Sequence, residues 1–91
     1  MNELNTTDRL KALQLIVESI VGVGEDLSNY PLETMLYGDM HAEGENIKQM
    51  LLNLKSAFEI DNYTEEDIAA LRELDVTIDD VLTILGEHLM W

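Results

Sequence analysis

Apolar side chains recur three and four residues apart over three stretches of this chain, the spacing that gathers them on one face of an α-helix. Leu10, Leu13, Ile16, Val17 and Ile20 make the first stripe, with Thr6 or Thr7 placed to cap its start and Gly22 and Gly24 to end it. Ile47, Met50, Leu51, Leu54 and Phe58 make the second, which predicts a helix from about Glu43 to Phe58. The pair Asp61-Asn62 is the expected breaker, because both side chains can bond the local backbone. Between these helices, residues 25–42 form a long connection containing Pro31. Leu32, Met35, Leu36 and Met40 are its candidate anchors to the core, as a connection of this length needs.

Two further helices announce themselves by their starts. Thr64 can cap the amides of a first turn whose Glu65, Glu66 and Asp67 suit the positive end of the dipole. Tyr63 and Ile68 have the spacing of a hydrophobic staple. The pattern repeats at Val76, Thr77, Asp79, Asp80 and Val81, after which Leu82, Leu85 and Leu89 continue an apolar stripe. No segment alternates at period two, so no strand is expected. The predicted fold is all-α: one domain over residues 1–91, four helices, a long loop after the first and a short third.

Composition changes this picture in two ways. Apolar residues make up 46% of the 91 positions, enough for one modest core despite a net charge of −14. The 19 acids against 5 bases repel nucleic-acid phosphates and favour a basic protein surface as partner. There is no cysteine for disulfides or thiolate chemistry. No stretch has the apolar length of a membrane span, and Met1 to Thr6 lacks the basic and apolar parts of a signal peptide, so a cytoplasmic protein is expected.

The stretch Leu36-Tyr37-Gly38-Asp39-Met40-His41-Ala42-Glu43-Gly44-Glu45 resembles the acyl carrier protein family. Members carry an Asp, an apolar residue, Gly, Ala and an acid just before a serine that heads helix two. They close that helix with a Phe and a following apolar residue. Asp39, Met40, Ala42, Glu43, Phe58 and Ile60 fit, while His41 replaces the Gly. The run from Leu71 to Val81 looks like the family's passage into its last helix. The resemblance implies an acyl-carrier-protein-like bundle, a place in fatty-acid or polyketide synthesis, and a lipid- or polyketide-pathway enzyme as partner. Its contact surface would include Met40, His41, Glu43, Glu45, Lys48, Gln49, Leu52, Glu65, Glu66 and Asp67.

Gly44 stands where the family's phosphopantetheine is attached. Attachment needs a nucleophilic oxygen and glycine has none, so no cofactor is expected. Ser19, Ser28, Thr34 and Ser56 lie in the wrong places to substitute. By alignment, the acids that the family presents on helix two fall at Asn46, Gln49, Lys55 and Ser56, with Lys48 nearby. Negative charge is concentrated instead in residues 61–80, at Asp61, Glu65, Glu66, Asp67, Glu73, Asp75, Asp79 and Asp80, against Arg72 alone. The expected function is therefore carrier-like action by protein contact. The alternatives are a working acyl carrier with an engineered Ser-to-Gly change, and an unrelated acidic adaptor or inhibitor module.

Other chemistry is sparse. His41 and His88 are too few for a zinc site. Asp75, Thr77 and Asp79 imitate the start of a calcium loop, but Asp80 stands in place of its Gly and Gly86 in place of its closing Glu. Crowded acids could still hold divalent cations loosely. Met35, Met40 and Met50 suit the core better than a contact surface. Met90-Trp91 could pack back or anchor a partner. No catalytic constellation appears, and an enzyme is not expected.

Overall fold

The computed structural model describes residues 2–60 and 62–89, which leaves Met1, Asp61 and the Met90-Trp91 pair outside the described residues. Four helices follow in order: α1 Asn2–Ile20, α2 Gly44–Phe58, α3 Glu65–Ala70 and α4 Ile78–Leu89. The connection between α1 and α2 holds one short 3-10 turn, Leu27–Asn29. Helix α1 packs mainly on α2 and also on α4. The radius of gyration, 12.1 Å, matches the roughly 12 Å of a well-packed chain of this length, so the long connection lies against the helices.

Helix α1 departs from expectation at both its start and its stripe. It begins at Asn2, so Thr7 lies inside it and neither threonine caps it. Neither Gly nor Pro occurs before Thr6, so nothing in that segment interrupts helical backbone. The buried stripe runs through Ala12, Ile16 and Val17, and Leu10, at its edge, is 57% exposed. The end is as predicted: the amides of Val21 and Gly22 both reach the Val17 carbonyl, and Gly22 and Gly24 take positive φ.

Helix α2 buries Ile47, Met50 and Leu54 and half-buries Leu51 and Phe58. Lys11 of α1 sits 5.4 Å from the centre of the Phe58 ring. The helix stops at Glu59, which takes left-handed backbone (φ 53°) as its amide and that of Ile60 close on the Lys55 carbonyl. The predicted Asp61-Asn62 breaker is thus preceded by a stop of another kind. Helices α3 and α4 start as expected. Thr64 and Asp67 exchange side-chain-to-amide hydrogen bonds at the head of α3, and Thr77 and Asp80 do the same before α4.

The connection anchors by side chains at Leu36 and Met40, both buried, while Met35 is half-buried and Leu32 is exposed. Leu32 acts through its backbone: its carbonyl accepts the Asp79 amide at 2.9 Å. Beside it the Leu36 amide donates to the Val76 carbonyl and the Ile78 amide to the Thr34 carbonyl, both at 3.0 Å, around an isolated antiparallel bridge between Met35 and Thr77. These bonds tie the loop ahead of α2 to the head of α4.

Candidate functional site

The turn before α2 is built from backbone outward. Asp39 folds back so that its carboxylate accepts the Met35 amide at 2.9 Å, while the Asp39 and Met40 amides donate to the Met35 carbonyl. Ala42 then donates to the Leu36 carbonyl, and His41 between them takes φ 59°. That is left-handed backbone, which a non-glycine side chain occupies at a cost. His41 is the position at which the carrier-protein pattern has glycine.

Gly44 is the first residue of α2 and is exposed. No atom lies within 4 Å of where a Cβ would stand, so the position accepts a larger residue without displacing anything. None of the four candidate substitutes stands at this place. Ser19 donates to the Leu15 carbonyl at 2.6 Å, Ser28 to the Asp26 carboxylate at 2.8 Å, Thr34 is buried, and Ser56 lies near the far end of α2. The residues present do not fit covalent attachment of phosphopantetheine.

Gly44 also lies at one end of a cleft of about 620 Å³ between α2 and α3. Helix α2 supplies a continuous face of Gly44, Ile47, Lys48, Leu51, Leu52 and Lys55, spaced three and four residues apart. The facing wall is Tyr63, Ile68 and Leu71, with Tyr37 closing one end. Two tyrosines hold the walls together. The Tyr37 hydroxyl donates to the Leu71 carbonyl at 2.8 Å, and the Tyr63 hydroxyl to the Leu51 carbonyl at 3.2 Å. Burial first, and the Asp67 charge second, push the Tyr63 phenol up to about 12.

The cleft's charges run against the rest of the molecule. Lys48, Lys55 and Arg72 line it, three of the five basic residues, and no Asp or Glu among the described residues does. Lys55 donates to the Asn62 side chain at 2.8 Å, whereas Lys48 and Arg72 form no ion pair among the described residues. On the opposite side of α2, Asn53 donates to the Ser19 hydroxyl at 2.8 Å and Asn46 approaches the Ser19 carbonyl at 3.4 Å. Asn46 and Asn53 thus brace α2 against α1.

Eight of the ten expected contact residues are exposed: His41, Glu43, Glu45, Lys48, Gln49, Leu52, Glu65 and Glu66. Met40 is corrected to a core residue, only 6% exposed, because the turn around Asp39 directs it inward. Asp67 is half-buried and occupied, bonded to Thr64 and to His88 Nε2 at 2.8 Å. Burial raises its carboxyl, but the bonds from His88 and Thr64 together outweigh this and leave it below the ordinary range. His88 also meets the Tyr63 ring edge-on at 5.5 Å. Sequence spacing is silent on this α3–α4 cluster, since His88 lies 21 residues from Asp67 and farther still from Tyr63. Among the described residues no three His, Cys, Asp or Glu side chains converge to hold a metal ion, and no helix is long and apolar enough to cross a membrane.

Comparison with protein-family models, with curated proteins and with solved structures finds no match for this chain.

Proposed function

We propose that this chain is a carrier-type helical domain, associated with fatty-acid or polyketide synthesis, that acts through protein contact and bears no phosphopantetheine arm. One observation carries the reading: residue 44 stands exposed at the head of α2, where the attachment serine would stand, and it is a glycine. Supporting it, His41 keeps the left-handed backbone suited to the glycine of the family pattern. The exposed acids Glu65, Glu66, Glu73, Asp75 and Asp79 direct a basic partner to α3 and the head of α4 rather than to α2.

A second reading, a working carrier with serine replaced at this one position, is favoured by the open space around Gly44. Loading of G44S by a phosphopantetheinyl transferase with coenzyme A separates the two. Poor loading of the folded variant is expected here, because Asn46, Gln49 and Lys55 stand where a transferase would meet acids. Rapid, stoichiometric loading would overturn the protein-contact reading in favour of the second.

A further inference from the structure

We propose that the outer face of α2 is a docking surface for an acidic protein partner, a helical segment that sets an apolar side chain between carboxylates two turns apart. The inference rests on exposure and charge and does not depend on carrier ancestry. It concerns a second contact, besides the basic partner proposed for α3 and the head of α4. Lys48, Leu52 and Lys55 are spaced four and three residues apart, so they share one face of α2. Leu52 is 51% exposed there, while Ile47, Met50 and Leu54 are buried on the inner side of the same helix. An apolar side chain left in water between two cations offers a partner helix an anchor with a charge on either side.

Charge sets the sign of the partner. Arg72 stands across from this face, on the segment after α3, so three of the five bases of the chain gather here. Lys48 and Arg72 form no ion pair among the described residues, and Lys55 bonds the neutral Asn62 side chain. A partner carboxylate therefore meets a cation without displacing a described acid, whereas a basic partner would meet like charge. Lys48 and Lys55 lie about 10 Å apart along the helix axis, which matches carboxylates seven residues apart on a partner helix. An apolar residue between those carboxylates then falls on Leu52. The net charge of −14 opposes an acidic partner at a distance. At physiological salt that field is screened beyond about 8 Å, so the local cations decide the contact.

The test selects helical peptides of randomised surface from a display library against the whole chain. Recovered peptides are then measured by calorimetry and by amide chemical shifts. They should include a class with Asp or Glu seven residues apart around a Leu, Ile or Phe, and this class should shift Lys48, Leu52, Lys55 and Arg72. K48Q/R72Q and L52S alter exposed side chains and should keep the fold, as circular dichroism would show. Each should weaken the acidic class roughly fivefold or more. Exchanging the peptide carboxylates for Lys should abolish binding at α2. Three results would each overturn the proposal: recovery of basic peptides only or of none, acidic peptides whose shifts lie on another surface, and acidic peptides that bind K48Q/R72Q or L52S as tightly as the parent.

Discussion

His41 shows how a single backbone angle can carry more information than a side chain. Its φ of 59° is open to any residue only at a cost, and glycine avoids that cost. H41G should therefore raise stability by about 0.5–1 kcal/mol in urea unfolding, although it removes a side chain and loosens the unfolded chain. A loss of stability would mean that the imidazole makes a compensating contact. Gly44 is the converse case, with ordinary backbone and open space. G44S should leave stability within about 0.5 kcal/mol of the parent.

The starts of α3 and α4 were legible because their signals are local, whereas the threonines expected to cap α1 lie inside it. Thr64 and Thr77 cap from three residues away, and both capping pairs form as the sequence predicts. Replacing Thr77 with alanine should cost about 1 kcal/mol, measured by denaturant unfolding. What the sequence concealed depends on tertiary approach. Nothing near residue 35 announces a bridge to Thr77, nothing in the α4 stripe announces the bond from His88 to Asp67, and Arg72 looked like a lone base among acids. Lys48 and Lys55 were visibly seven residues apart, but only the packing of α3 against α2 turns them into the wall of a cleft. Tyr63 spans that packing, and its pH dependence has a defined sign. Its folded phenol titrates at about 12 against an ordinary 10, so the neutral form stabilises the fold below pH 10 and that contribution is lost as pH rises through 12. Thermal unfolding followed from pH 9 to 12 should show this loss in the parent and a smaller one in Y63F.

Taken as one body, the molecule balances an ordinary apolar core against a surface with too many like charges. The core closes because the connection contributes Leu36 and Met40 from above and the helices contribute Ile16, Met50, Leu54, Ile78 and Leu85 from around them. The charge works against that closure, since most acids are exposed and few cations oppose them. Raising salt from about 0.02 to 0.5 M should increase the melting temperature as screening relieves the repulsion. A flat response would mean that self-repulsion is negligible here.

The uneven placement of charge, acids over α3 and the head of α4 and cations along the cleft, gives the molecule two faces of opposite electrostatic character. The proposed function by protein contact needs no covalent tether. Intact-mass measurement of the unaltered chain, purified from cells co-expressing a phosphopantetheinyl transferase, tests that claim directly. The expected result is the mass of the bare 10.3 kDa polypeptide. A stoichiometric gain of one phosphopantetheine would contradict it, because it would place a nucleophile where the head of α2 has none.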